Sequence, residues 1–186
     1  MPPLDYPSHL VEDWQLNDGT PVRIRPIRAD DLAMHTAFVG GLSKETGYHR
    51  LLSPRTPQPD ELWRMTHIDY ERELALIATT VVAGAEQQMG VVRYVRGETP
   101  ETAHVAEFAV VIADAWQHRG VAHKLLSRLI AAAAAAGVTQ LADITLYDNT
   151  GMLALARKLG FRLQRDPGNP NVTRLRLVLD APPGTR

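Results

Sequence analysis

Residues 117–122 have the residue types and the spacing of an anion-binding loop. They read Gln-His-Arg-Gly-Val-Ala, the pattern Gln-x-x-Gly-x-Ala, between an apolar segment and a run with helical periodicity. A helix that begins after such a loop presents backbone N–H groups without partners, and these groups together with the helix dipole bind a phosphate or pyrophosphate. Gly120 lets the backbone approach the anion closely. From this hexapeptide alone, an ordinary β–α turn is an equally good interpretation.

A carboxylate, Glu107, interrupts the apolar segment that precedes this loop. Residues 105–112 are otherwise apolar on both faces of a strand, which is typical of the centre of a sheet. Burial there is predicted to desolvate Glu107 and to raise its pKa towards the range of a general base at neutral pH. Such a base would deprotonate an amine, whose own pKa is about 10.4. The alternative is a structural ion pair between Glu107 and Arg93.

Other polar side chains near the loop have weaker signals. His118 and His123 lack metal-ligand spacing, so we predict surface histidines and no metal site. Asn149 begins a predicted helix, where it could bind a cofactor or act as an N-cap, with equal weight. Three cationic side chains could attract phosphates: Arg119, Lys124 and Arg128. Of these, only Arg119 is close enough to the loop to be favoured.

The elements that must position these residues fall into two parts. In the first part, strands over residues 11–16 and 22–28 flank a hairpin turn, three helices begin near residues 31, 43 and 60, and strands follow at 74–82 and 89–95. From residue 104 the order becomes strand, loop, helix, strand, helix, strand, strand, which begins as a βαβ unit. We expect the residues that bind and react with the substrate to lie in this second part.

Composition excludes several classes of function. The 186 residues are 45% hydrophobic and 22% charged, which favours one globular domain over residues 21–180, after an N-terminal segment (1–20) and before a short tail (181–186). A net charge of −1 argues against nucleic acid as a partner. The absence of cysteine excludes disulfides and thiolate chemistry. No signal peptide or membrane span is indicated, and we expect a cytoplasmic protein that does not bind membranes.

Two motifs in order resemble the GCN5-related N-acetyltransferase (GNAT) family over nearly the whole chain. In that family Gln/Arg-x-x-Gly-x-Gly/Ala holds the pyrophosphate of acetyl-CoA, and a later helix from an Asn to a Gly-Phe pair lies beside the pantetheine arm. Residues 149–161, Asn-Thr-Gly-Met-Leu-Ala-Leu-Ala-Arg-Lys-Leu-Gly-Phe, are similar to that helix. Residues 22–28, 42–43, 68–76 and 106–110 further resemble the catalytic domain of bacterial protein lysine acetyltransferases.

The resemblance implies a fold, a co-substrate and roles for individual residues. The fold would be an α/β acyl-CoA N-acyltransferase fold, whose mixed, largely antiparallel sheet of about seven strands is flanked by helices and splits at its parallel pair. Glu107 would be the general base, and Tyr48 and Arg50 would bind the acceptor, a primary amine and most simply a protein lysine. Acetyl-CoA, with no metal, would be bound by Val110, Val111, Ile112, Gln117, His118, Arg119, Gly120, Val121, Ala122 and Asn149.

One departure from the family keeps alternatives open. The family often has a tyrosine acid four residues before the Gly-Phe pair, and Ala156 stands there. A domain that binds acyl-CoA without catalysis is therefore one alternative. A small-molecule amine is another, recognised by Asp60, Glu61, Asp69, Glu71 and Glu73. A Rossmann dehydrogenase is disfavoured, since the loop lacks a leading Gly-x-Gly. Assembly stays open between a monomer and a homodimer.

Overall fold

One eight-stranded sheet organises the computed structural model, which describes residues 6–51 and 55–179. Its order is β1-β2-β3-β4-β5-β6-β8-β7, and only β5 and β6 run parallel. The predicted fold class is confirmed: the sheet has eight strands, where the resemblance implied about seven, and the short edge strand β7 pairs along its whole length with β8. The strands are β1 (Glu12–Gln15), β2 (Pro21–Pro26), β3 (Glu73–Val82), β4 (Ala85–Arg96), β5 (Val105–Ile112), β6 (Gln140–Leu146), β7 (Arg162–Arg165) and β8 (Val172–Val178).

In the described part of the chain, five α-helices cover the sheet from both faces. They are α1 (Leu32–Gly40), α2 (Lys44–Leu51), α3 (Pro59–Thr66), α4 (Val121–Ala135) and α5 (Thr150–Lys158). The apolar stripe of α4, with Leu125, Leu126 and Leu129 fully buried, packs with α5 on one face against Phe108 of β5. On the other face Phe38 of α1 packs in a second apolar cluster. Within the described ranges no helix is long and apolar enough to cross a membrane.

The parallel pair splits, as the family resemblance implied. β5 and β6 are paired only from Val105 to Glu107, opposite Gln140 to Ala142. Beyond Glu107, β5 continues along β4 as far as Ile112, while β6 continues along β8. Backbone groups of β5 that point towards β6 therefore lose their sheet partners after Glu107.

A buried ion pair joins the first hairpin to the helices above it. The side chains of Arg25 and Asp31 are 6% and 5% exposed, and the two terminal guanidinium nitrogens each donate to one carboxylate oxygen at 2.7 Å. Burial alone lowers the pKa of Arg25, but the bonds to Asp31 hold that pKa above its ordinary value. Asp31 also accepts the Arg28 N–H at 2.7 Å. The pair thereby fixes the start of α1 against β2.

Candidate active site

A cavity of about 840 Å³ follows the gap between β5 and β6. Its volume is within the range of ligand-binding clefts, about 300–1,000 Å³. Strand β5, the loop before α4 and the start of α5 all contribute to its walls, so the fold assembles residues that are about 40 positions apart. The sequence-predicted residues that line it are Glu107, Val110, Val111, Ile112, Gln117, His118, Gly120, Ala122 and Asn149.

The start of α4 presents free backbone donors to this cavity. Gly120 precedes the helix with φ 85° and ψ −4°, in the left-handed region that favours glycine, and no side chain in the described ranges caps the helix. Lys124 is the first residue whose N–H bonds back to Gly120, at 3.0 Å. The N–H groups of residues 121–123 therefore have no partner within the helix. His118 also has positive φ, 60°, which tightens the turn before these donors.

A hydrogen-bonded brace ties this loop to α2. The Gln117 amide donates to Ile112 O and to Thr46 Oγ1, both at 3.1 Å. Asp114 accepts from the Ser43 N–H at 2.9 Å, from Ser43 Oγ at 2.7 Å and from Thr46 Oγ1 at 2.8 Å. Burial raises the pKa of Asp114, but these bonds outweigh it and hold that pKa below its ordinary value. The sequence analysis missed this brace, because its two sides are about 70 residues apart.

The cations near the loop are engaged by the first hairpin. Arg119 Nη1 lies 3.0 Å from Asp18 Oδ2, and its guanidinium lies over the Trp116 ring at 5.1 Å. The carboxylate of Glu12, on the same hairpin, pairs with two further cations. Lys124 Nζ lies 2.6 Å from it and Arg128 Nε lies 3.0 Å from it. The side chain of Val121 is buried in the core, which leaves only its backbone N–H for a ligand. The predicted attraction of phosphates by these cations would have to compete with Asp18 and Glu12.

Asn149 caps α5. Its Oδ1 accepts the Met152 N–H at 3.2 Å, and its Nδ2 donates to Thr145 Oγ1 at 3.1 Å. The N-cap interpretation is therefore confirmed, although the residue also lines the cavity. On the same helix Ala156 is fully buried in the core. The position of the family tyrosine thus holds a small side chain that packs between helix and sheet.

Glu107 is exposed, which corrects the prediction of a desolvated carboxylate. The reason is that the sheet opens beside it: Glu107 is the last residue of β5 that pairs with β6, and its side chain faces the cavity. Arg93, the predicted structural partner, donates to Met65 O at 2.6 Å and lies 3.7 Å from Glu73 Oε2. Burial raises the pKa of Glu73, and Arg93 opposes this shift.

A second cavity of about 680 Å³ lies between β4 and β5 and the helices α1 to α3. Tyr48 lines it, with mainly apolar neighbours, and it shares Glu45, Arg93 and Val111 with the first cavity. Arg50 lies on the same helix α2, but its side chain is outside the described part of the chain. Sequence reasoning did not find Asp143, which lines the first cavity and gives no local signal.

Comparisons with known proteins agree with this geometry. The sequence model of the GNAT acetyltransferase domain matches residues 22–162. An acetyltransferase of Pseudomonas aeruginosa is 32% identical over 177 residues, which cover 92% of this chain and 90% of that protein. The acetyltransferase Pat of Mycolicibacterium smegmatis is 28% identical over 146 residues, 78% of this chain and 43% of Pat.

Solved structures have the same fold. The GNAT domain of Streptomyces lividans PAT superposes with a TM-score of 0.81 at 32% identity, covering 94% of this chain and 100% of that domain. The Salmonella typhimurium protein yncA, solved with its cofactor acetyl-CoA, has a TM-score of 0.68 at 19% identity, covering 88% of this chain and 96% of yncA. At that identity yncA supports the fold alone.

Proposed function

The chain belongs to the GNAT acetyltransferase family, and we propose that it transfers the acetyl group of acetyl-CoA to a primary amine, a lysine side chain of another protein. The observation that carries the proposal is the position of Glu107. Its carboxylate lies where β5 and β6 separate and faces a cavity whose far wall is the start of α4. A base and an anion site at two places in one cavity suit a long, phosphorylated thioester.

Acetyl-CoA would lie along the gap between the two parallel strands. Its pyrophosphate would accept hydrogen bonds from the free N–H groups of residues 121–123, with Gly120 allowing close approach. The pantetheine arm would run between β5 and β6, where the N–H groups of Val110 and Ile112 have no strand partner on the β6 side. Carbonyl groups of the arm would replace the missing sheet partners, which satisfies backbone groups that the split leaves open.

The transfer would be direct. A lysine arrives as ammonium, and Glu107, alone or through a water, takes a proton from it. The amine nitrogen then attacks the thioester carbonyl, the new C–N bond forms, and backbone N–H groups of β5 stabilise the oxyanion. The C–S bond breaks and CoA leaves as a thiolate, and the second proton of the attacking nitrogen passes through water to that thiolate as the amide forms. A thiol with a pKa of about 8.5 leaves without a dedicated acid, which accounts for Ala156 in place of the family tyrosine.

A protein lysine is favoured over a small polar amine by two observations. The GNAT domain of PAT, at 32% identity, covers 94% of this chain, and the chain resembles protein lysine acetyltransferases around residues 68–76 and 106–110. The acidic residues that would form an aminoglycoside pocket are also in the wrong place. None of Asp60, Glu61, Asp69, Glu71 and Glu73 lines either described cavity.

The test is release of free CoA thiol from acetyl-CoA in the presence of acceptor amines. Turnover on any acceptor excludes an acyl-CoA-binding domain without catalysis. We expect kcat/KM to be higher for folded proteins than for polyamines, aminoglycosides or amino acids. If kcat/KM is about a hundredfold higher for a small amine, a difference of about 2.7 kcal/mol, the proposed protein acceptor is wrong, and the proposed acetyltransferase activity still holds.

A further inference from the structure

We infer that the acceptor protein docks on the uncovered half of the sheet beside Glu107, through its own carboxylates near the acceptor lysine. This inference rests on the proposed lysine acceptor and adds where that acceptor binds and what chemistry it presents. It comes from three features of the sheet face that carries Glu107: no described helix covers half of this face, strand register places arginines in line with Glu107, and these arginines make it positively charged.

The face that carries Glu107 is covered over the middle of β3 and β4, and it is open from Val95, which pairs with Glu107 and is 43% exposed, across β6, β8 and β7. Towards β4 and β3, Phe38 of α1 and its neighbours pack over Ala75, Ile77 and Val91. Towards β6, β8 and β7, no described helix covers this face, and its apolar side chains are exposed: Ile144 is 46% and Val178 is 64% exposed. A large acceptor could therefore lie on this half of the sheet while its lysine reaches Glu107.

Strand register places arginines in line with Glu107. Glu107 pairs with Ala142, Ala142 with Arg176, and Arg176 with Arg162. Directly paired residues project from the same face of a sheet, and neighbouring strands are about 4.8 Å apart. The backbone of Arg176 is thus roughly 10 Å, and that of Arg162 roughly 14 Å, from the backbone of Glu107. A small amine held at Glu107 cannot span these distances, whereas a protein segment can.

The charge of this half determines the chemistry of the partner. Arg162, Arg174 and Arg176 are exposed on it, and only Arg174 has a carboxylate partner among the described residues, Asp166 at 2.6 Å. Arg176 donates to Gln140 Oε1 at 2.6 Å, which fixes the arginine but leaves its charge uncompensated. Guanidinium groups pair best with carboxylates. We therefore expect acidic residues close to the acceptor lysine.

Peptides of defined sequence test the inference. An extended chain spans about 3.3 Å per residue, so carboxylates three and four residues from the lysine would reach Arg176 and Arg162. The probes are a 13-residue peptide with one central lysine and Glu at positions three and four on both sides, the same peptide with Gln at those positions, and a lysine derivative blocked at its α-amine and carboxyl groups. We expect kcat/KM for the Glu peptide to exceed that for the Gln peptide about tenfold, from two exposed ion pairs.

The chain offers a closely matched control. Arg162 and Arg165 are both exposed on β7, but Arg165 pairs with Thr173 and projects from the opposite face. Arg162→Glu, alone and with Arg176→Glu, should remove the preference for the Glu peptide, while Arg165→Glu keeps it. All variants should act on the blocked lysine as the unchanged protein does, because none of these arginines lines the described cavities.

Several outcomes would overturn the inference. Turnover of both peptides at one rate, or the same loss in Arg165→Glu as in Arg162→Glu, would refute the docking surface and leave the lysine acceptor in place. Failure to acetylate any lysine probe, with turnover on another amine, would refute the proposed acceptor and the surface together. Light scattering provides the remaining check: if Arg162→Glu/Arg176→Glu converts a dimer into a monomer, the surface joins two copies of this chain.

Discussion

The substitution Gly120→Glu would place a negative charge in the proposed pyrophosphate site. A Cβ atom at Gly120 meets no atom within 4 Å, so the new side chain has space. The left-handed backbone, with φ 85°, costs an L-residue about 1–2 kcal/mol of folding stability. That cost lowers the free energy of unfolding but does not by itself change the affinity of folded protein for acetyl-CoA.

The expected loss of affinity follows from Coulomb's law. A carboxylate about 5 Å from one phosphate charge is repelled by about 0.8 kcal/mol at the dielectric constant of water, and by about 3.3 kcal/mol at an effective value of about 20. These limits correspond to a rise in the acetyl-CoA Kd of about fourfold to about 300-fold. Titration calorimetry of Gly120→Glu with acetyl-CoA measures this rise directly.

Gly137→Glu is the matched control for backbone strain. Gly137 follows the end of the same helix, has φ 81° and also has no atom within 4 Å of a new Cβ, but it does not line the cavity. We expect it to lose similar stability and to keep the acetyl-CoA Kd. S-acetyl-pantetheine, which has no phosphate, should bind both variants equally. An unchanged acetyl-CoA Kd in Gly120→Glu would show that the pyrophosphate does not bind at the start of α4.

Three further substitutions test the base, the buried ion pair and the brace. Glu107→Gln should lower kcat by about 10²–10⁴-fold at an unchanged acetyl-CoA Kd, and full turnover from pH 6 to 9 would remove Glu107 as the base. Asp31→Ala leaves the buried Arg25 with only its longer contact to Glu86, at 3.4 Å, and should cost about 3 kcal/mol in urea unfolding; a loss below about 1 kcal/mol would contradict this account. Asp114→Asn should lower the free energy of unfolding by about 1 kcal/mol at pH 7. Because hydrogen bonds lower the pKa of Asp114 in the folded state, its stabilisation is present above the ordinary carboxyl pKa and is lost as the pH falls through the lowered value. The difference between Asp114→Asn and unchanged protein should therefore shrink below about pH 4, and a constant difference would count against the brace.

The sequence determined the helices and strands and the position of the loop before α4. The hairpin turn at residues 17–20 and the start of α4 after Gly120 could be predicted, because turn residues, glycine φ preferences and hydrophobic periodicity act over a few positions. The split of the sheet was predicted from the family resemblance, and the pairing of β5 with β6 confirms it. Those local signals and the two motifs were sufficient for the fold class.

Only the tertiary structure decided the surroundings of the candidate site. An apolar strand predicted that Glu107 would be buried, but its exposure depends on where β5 and β6 stop pairing. Arg119 is engaged by Asp18 from about 100 residues away, and Asp114 binds Ser43 from 71 residues away. The alignment of Arg176 with Glu107 likewise depends on register across three strands. Local periodicity determines which face of a strand is apolar, whereas the neighbour across a sheet depends on strand order and register, which the packing of the whole chain selects.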